Sequence, residues 1–234
     1  ELGKLERDPF VGAGRVPNLP HKRQRRQTYA EADIVRLLTV CGPIHWKRER
    51  KTDRRQWQAG GPLEREMLQG RALVLVLVDS AMRAGEVARL TCGQARESEL
   101  VIESKGGHED VVYLTDETRA ALRTLAGLRA ADAPLFRDWN GEACSVRALR
   151  SLLRRMAKRA MIELPPRPLH AFRHYAAQVW AKSGMPDLVI QQLMRHANLS
   201  TTQIYTRLSD PELAEQHARA SPIKRLIERA DRMR

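Results

Sequence analysis

Aromatic residues and cysteines are scarce in this chain of 234 residues, and its apolar runs are short. The three cysteines, Cys41, Cys92 and Cys144, are scattered, and no C-x-x-C occurs. Such usage argues against a disulfide framework or a zinc site and favours a reducing compartment, the cytoplasm. The longest apolar run, residues 72–78, is far too short to span a bilayer.

Positive charge, in contrast, is abundant. Lysine and arginine number 41 against 28 acidic residues, which gives a net charge of +13. This excess favours a polyanionic partner, because neutralising phosphates releases condensed counterions. A generally basic protein is the alternative. A membrane surface is a weaker candidate, since no basic amphipathic helix with an aromatic face stands out.

Composition divides the chain into three parts. Residues 1–27 contain prolines, glycines and a basic run without apolar periodicity, so we expect a linker or N-terminal arm left from an interdomain connection. Residues 28–220 are expected to form the main domain, and residues 221–234 a C-terminal tail. Within the domain, residues 43–61 form a basic insertion with interleaved tryptophans. It is either a solvated loop or a DNA-binding loop, whose basic residues include Lys47, Arg48 and Arg50.

Apolar periodicity predicts a mostly helical α+β fold with one small antiparallel sheet. The pattern Thr28-Tyr29-Ala30-Glu31 predicts a capping box and a helix that buries Ile34, Leu37 and Leu38. A long helix is predicted from about Leu63 to Met82, although its apolar run alone is compatible with a strand. Strands are predicted at 100–104 and 110–114 around a glycine turn at 105–108. Later helices are predicted at 86–90, 115–130, 169–182, 186–195 and 212–219, with a further helical segment around 205.

A helix beginning at Ser145 is predicted to be apolar on one face and basic on the other. Its apolar face comprises Val146, Leu149, Leu153 and Met156. Its basic face comprises Arg147, Arg150, Arg154 and Lys158. The basic face is either simply solvated or in contact with DNA.

Two segments near the end of the domain are candidates for chemistry. In His170-Ala171-Phe172-Arg173, an imidazole and a guanidinium one helical turn apart share a face. Farther on, His196 is followed nine residues later by Tyr205, with turn-forming residues between them. Each segment alone also has an ordinary structural explanation.

Two further motifs lie upstream, Ala81-Met82-Arg83-Ala84-Gly85-Glu86 and Ser104-Lys105-Gly106-Gly107. Together the motifs resemble those of the catalytic domain of the tyrosine recombinase (phage integrase) family. That family shows G-L-R-x-S-E, a G-K-G turn, H-x-L-R-H, L-G-H and T-T-x-x-Y, and five similar motifs stand here in the same order across residues 28–220. They supply Arg83, Lys105, His170 with Arg173, His196 and Tyr205. Three common glycines are replaced here, by Ala81, Ser104 and Arg195.

The resemblance implies a DNA strand transferase. Tyr205 would attack a phosphodiester and form a 3′-phosphotyrosine. Arg83 and Arg173 would bind the non-bridging oxygens and His196 would add a donor, while Lys105 would protonate the departing 5′-oxygen. His170 would accept the Tyr205 proton or position that hydroxyl. No metal ion, ATP or other cofactor is implied, and the sequence offers no paired-carboxylate site of the two-metal type.

The implied partners are double-stranded DNA and further copies of the chain. Dimers or tetramers would assemble on DNA through a C-terminal helix that carries Leu213 and His217, although this helix is equally able to pack on its own chain. Two alternatives remain open: a type IB topoisomerase with the same chemistry, and a DNA-binding accessory module with vestigial chemistry. His174 and Trp180 are expected to have structural roles.

Overall fold

The computed structural model describes residues 28–42, 61–103, 107, 109–195 and 210–233. Within these ranges, most elements are helices and two strands form one sheet, which confirms the predicted α+β class. The elements are α1 (Glu31–Val40), α2 (Pro62–Ser80), α3 (Ala84–Ala88), β1 (Leu100–Glu103), β2 (Glu109–Val112), α4 (Asp116–Ala126), α5 (Val146–Ala160), α6 (Pro168–Lys182), α7 (Asp187–Leu193), α8 (Asp210–Ala220) and α9 (Ile223–Arg232).

Helix α2 forms the centre of the core. It contacts α1, α4, α5 and α6, and every residue from Ala72 to Ser80 is buried. The apolar run 73–78 is therefore helical, as predicted, and its uniform hydrophobicity reflects a helix covered on all sides. In the described part of the chain, no helix combines the length and hydropathy that crossing a bilayer requires.

The sheet is a short hairpin. Strands β1 and β2 pair antiparallel, with Leu100 opposite Val112 and Glu103 opposite Glu109. Both strands are shorter than predicted, but their pairing confirms the predicted hairpin. Lys105 belongs to the connection between them and lies outside the described residues.

At Thr28 and Ser145 the sequence predicts the start of a helix, and one of these two residues caps its helix in the structure. Ser145 caps α5, because its Oγ accepts a hydrogen bond from the Ala148 N–H at 3.1 Å. The capping box at Thr28 is wrong: α1 begins at Glu31, and the Thr28 hydroxyl donates to Oε1 of Gln178 at 3.3 Å. A partner 150 residues away in the chain has replaced the local one.

The C-terminal helices pack on their own chain. In α8, Leu213 and His217 are buried. We considered this helix for docking on another copy of the chain, but the side that carries these two residues is already covered by its own chain. In α9, Ile223, Leu226 and Ala230 are buried in the main core, and the helix contacts α1. The segment 221–234, treated above as a tail, thus contributes a helix that the sequence analysis did not predict.

Candidate active site

Arg83 occupies the N-cap of α3, where Glu86 holds it at two points. The Arg83 backbone N–H donates to Oε2 of Glu86 at 2.8 Å, and its Nη1 lies 3.0 Å from Oε1. The Arg83 side chain nevertheless remains 46% exposed. Its guanidinium is therefore oriented by a carboxylate while still accessible to a ligand.

Arg173 on α6 is buried, with an exposed fraction of only 3%. Its Nη1 donates to the Ala81 carbonyl oxygen and its Nη2 to that of Met194. Burial, together with repulsion from Arg83 and Arg195, lowers the pKa of Arg173 to about 10. A guanidinium has five N–H donors, and these two hydrogen bonds use two of them.

Arg195 is the third arginine of the cluster and lies two residues after the end of α7. Its Nη2 lies 3.2 Å from Oε2 of Glu86, and its carbonyl oxygen accepts a hydrogen bond from Nη2 of Arg83 at 3.3 Å. Burial alone would raise the pKa of Glu86. The charge of Arg195 and the hydrogen bonds from Arg83 outweigh burial and hold that pKa below its usual value.

The charges of this cluster do not balance. Among the described residues, the guanidinium groups of Arg83, Arg173 and Arg195 lie around the carboxylate of Glu86. The charge of Asp110 also acts on Arg195, so three cations face two carboxylates. Repulsion between the three arginines disfavours the cluster without a ligand. An anion placed among them would relieve this repulsion, so the arrangement suits a phosphate group.

Two backbone positions in the cluster have positive φ without being glycine. Ala81 has a φ of 52° and Arg195 a φ of 51°. Left-handed backbone costs residues with a Cβ atom about 1–2 kcal/mol. At both positions the family that this chain resembles commonly has glycine. The positive φ explains the preference for glycine there, because glycine adopts this backbone without strain. The carbonyl oxygens of both residues accept hydrogen bonds, from Arg173 and Arg83 respectively.

The structure thus connects three motifs that are far apart in sequence. Arg83, Arg173 and the turn at 194–195 lie together, and this turn leads directly to His196. His170 is exposed on α6, with its ring edge-on to that of His174 at a centroid distance of 4.5 Å. The other predicted catalytic residues, Lys105, His196 and Tyr205, lie outside the described residues.

Sequence reasoning missed the contacts that Glu86 and Arg195 make with Arg83. Glu86 stands in the first motif, and Arg195 was noted only as a replaced glycine. An arginine at a position that favours glycine was the available signal, because such a replacement suggests a compensating contact. Trp180 is fully buried, as expected, with its ring centroid 6.1 Å from that of His217.

The predicted basic face of α5 is exposed. Its members Arg147, Arg150, Arg154 and Lys158 make no ion pair with any residue that the structure describes. The neighbouring Arg155 and Arg159 both bind Glu66, at 2.7 and 2.6 Å. The opposite face buries its apolar residues except Val146, which is exposed at the first turn, where the core does not reach it.

The basic loop residues Lys47, Arg48 and Arg50 lie outside the described ranges. Their predicted contact with DNA therefore stays a prediction.

Comparison with known proteins places the chain in a family. The phage integrase family model matches residues 63–212, which is more than half of the chain. The tyrosine recombinase XerD of Ralstonia nicotianae is 34% identical over 166 residues, covering 66% of this chain and 53% of that protein. The chain therefore spans about half the length of this curated relative.

Solved structures agree on the fold. The integrase of mycobacterium phage Brujita matches with a TM-score of 0.59 and 19% identity, over 87% of this chain and 63% of that one. The XerH site-specific recombinase bound to its difH substrate matches with a TM-score of 0.53 and 19% identity, over 80% and 52%. At these identities the similarity concerns the fold alone. Together with the family match, it shows that the chain belongs to the phage integrase family, as a tyrosine recombinase catalytic domain.

Proposed function

We propose that this chain cuts and rejoins DNA strands in site-specific recombination, with Tyr205 as the nucleophile. The observation that carries the proposal is the cluster of three arginines, in which positive charge exceeds negative charge. The turn at 194–195 joins this cluster to the segment of His196 and Tyr205. The cluster has the charge that a phosphodiester needs, and the chain supplies a covalent nucleophile next to it in sequence.

In the proposed reaction, the Tyr205 oxygen forms a bond to phosphorus and the bond to the 5′-oxygen breaks. The Tyr205 proton passes to His170, or to a water molecule that His170 orients. Lys105 gives a proton to the departing 5′-oxygen. Arg83, Arg173 and His196 stabilise the charge that develops on the non-bridging oxygens. The phosphotyrosine retains the energy of the phosphodiester, so a 5′-hydroxyl from another strand reverses the step without ATP. The arginines supply the positive charge, and no metal ion takes part.

The proposed partner is double-stranded DNA. The XerH match is a complex with its DNA substrate, and the exposed basic face of α5 supplies cations that form no ion pair within the described ranges. We also propose that copies of the chain assemble on DNA as dimers or tetramers. Because Leu213 and His217 are covered within the chain, such an assembly must use another surface or undock α8.

We expect a covalent protein–DNA adduct when the chain is incubated with a nicked DNA substrate whose cleaved end diffuses away. The adduct should be absent for Tyr205→Phe, because the ring then lacks the attacking oxygen. Both proteins are compared on denaturing gels with fragments flanking the gene, in buffer containing a chelator. An adduct that persists in Tyr205→Phe would refute the assignment of the nucleophile. An adduct found only with added metal ion would refute metal independence.

Exchange of strands between two labelled duplexes then separates recombination from topoisomerase activity. We expect joined products that carry both labels. Relaxation of supercoiled DNA without such products would support the topoisomerase alternative. Tight DNA binding without any adduct, in a chain extended to the length of its relatives, would support the accessory module.

Binding to DNA should depend steeply on salt, and the basic face of α5 should contribute to this dependence. We expect Arg150→Gln with Arg154→Gln to reduce the slope of log affinity against log salt by about two, one for each phosphate that is no longer neutralised. Arg155→Gln is the matched control on the same helix, because Glu66 already binds Arg155 at 2.7 Å. Equal slopes for the double variant and the wild type, measured by fluorescence anisotropy, would exclude this face as the DNA-binding surface.

A further inference from the structure

Arg195 is an unusual residue for its position. Its backbone lies in the left-handed region, with a φ of 51°, and its side chain is only 7% exposed. Glycine is the residue that adopts this backbone most easily, and a long cation is costly to bury. Local preference therefore does not account for an arginine here, and its contacts must.

Those contacts converge on Arg83. The Arg195 Nη2 binds Oε2 of Glu86 at 3.2 Å, while Oε1 of the same carboxylate lies 3.0 Å from Nη1 of Arg83. The Arg195 carbonyl oxygen accepts a hydrogen bond from the other terminal nitrogen of Arg83, Nη2, at 3.3 Å. Both ends of the Arg83 guanidinium are thus held by atoms whose positions depend on Arg195.

The Arg195 side chain is itself held in place. Its Nη1 donates to the Leu193 carbonyl oxygen at 3.0 Å, within the turn that ends α7. The same turn is fixed to α6, because Nη2 of Arg173 donates to the Met194 carbonyl oxygen. Arg195 therefore links the exposed guanidinium of Arg83 to a turn that is fixed on the core.

We propose that Arg195 is a positioning residue for Arg83, which it holds through Glu86 and through its own carbonyl oxygen. The inference rests on the proposed function, in which Arg83 binds the reacting phosphate. A donor that is oriented before the ligand arrives needs no reorganisation during the reaction. Because its two terminal nitrogens bind Glu86 and the Leu193 carbonyl oxygen, Arg195 acts through Arg83 and not by contacting DNA.

The test compares Arg195→Gly and Arg195→Met with the wild type in single-turnover cleavage and in DNA binding. Glycine relaxes the backbone and methionine keeps most of the volume, but neither binds Glu86. We expect both variants to cleave about 10- to 100-fold more slowly, as misplacement of a catalytic group does. DNA affinity should stay within about twofold of the wild type. Arg195→Lys, which retains a charge for Glu86, should recover part of the rate.

The competing explanation is that arginine merely replaces glycine without a role. It predicts that Arg195→Gly cleaves as fast as the wild type, and that result would overturn the proposal. In an Arg83→Lys background, Arg195→Gly should slow cleavage by less than about threefold, because the group that it positions is already altered. If Arg195→Gly slowed cleavage as much in that background as in the wild type, Arg195 and Arg83 would act independently, which would also contradict the proposal. Arg229→Met, which breaks the pair with Glu31 at 2.6 Å, is the control for removing an arginine–carboxylate pair elsewhere.

An NMR measurement on the protein without DNA separates this inference from the proposed function. The Arg83 guanidinium signals, assigned with Arg83→Lys, should show slow rotation in the wild type and faster rotation in Arg195→Gly. If that change occurs while the wild type forms no adduct, the positioning stands and the proposed function fails. Identical Arg83 signals in the two proteins would overturn the positioning, whatever the activity.

Discussion

Arg173→Lys should slow DNA cleavage about 1,000-fold and also lower the free energy of unfolding. Loss of a well-placed donor to a developing oxyanion costs about 3–4 kcal/mol in the transition state. One ammonium also cannot span the carbonyl oxygens of Ala81 and Met194, which Arg173 joins. Leaving a buried carbonyl without its donor costs about 1–3 kcal/mol of stability. Cleavage is measured in single turnover and stability by urea unfolding.

The loss of stability is expected because Arg173 is buried. Arg129→Lys is the matched control, because Arg129 also donates to several backbone carbonyl oxygens, including those of Pro134 at 2.8 Å and Leu125 at 2.6 Å. It should lose stability and keep the cleavage rate per folded molecule. Near-normal cleavage by Arg173→Lys would remove Arg173 from the proposed site.

The second large effect concerns a buried histidine–aspartate pair between α2 and α8. Nε2 of His217 lies 3.1 Å from Oδ1 of Asp79 and 2.6 Å from the Asp79 carbonyl oxygen. The Ser221 hydroxyl donates to Oδ1 at 2.5 Å, and the Thr115 N–H and hydroxyl donate to Oδ2 at 2.7 and 2.9 Å. Removing one partner of such a pair costs about 3–5 kcal/mol, so we expect that loss for His217→Gln near pH 6.

The pair also sets a direction for pH dependence. Burial and the charge of Arg119 lower the pKa of His217, but Asp79 outweighs them and raises it. Burial raises the pKa of Asp79, but His217, Ser221 and Thr115 outweigh it and lower it. The stabilisation from His217 is complete below its unfolded pKa of about 6.5 and is lost as pH rises through the raised folded value. The stabilisation from Asp79 is present above about pH 3.9 and is lost as pH falls through the lowered one.

Urea unfolding between pH 5 and pH 9 tests this direction. The unfolding free energy of the wild type should fall relative to that of His217→Gln as the pH rises above about 6.5. His174→Gln is the histidine control and should keep the wild-type slope, since it leaves the pair with Asp79 intact. Parallel curves for the wild type and His217→Gln would show that the imidazole does not carry the charge.

Local sequence patterns predict some elements of this fold, whereas contacts between distant residues determine others. The long helix α2 and the hairpin were predictable, because periodicity and turn chemistry act within a few residues. The pair of Glu86 with Arg195 joins residues 109 positions apart, and no local pattern marks it. The family motifs identified Arg83 and Arg173, but they did not distinguish an exposed guanidinium from a buried one that also holds the backbone. Helix α9 has apolar residues at helical spacing, yet only its contact with α1 shows that this side is buried.

The packing of α9 on α1 affects how the chain reaches its folded state on the ribosome. Glu31 binds Arg225 and Arg229 at 2.8 and 2.6 Å, so the first described helix is completed by one that is synthesised almost 200 positions later. Translation at about 5–20 residues per second separates the two by about 10–40 s. During that interval the apolar face of α1 lacks one of its partners. A nascent or prematurely terminated chain would therefore expose a surface that chaperones and proteases recognise.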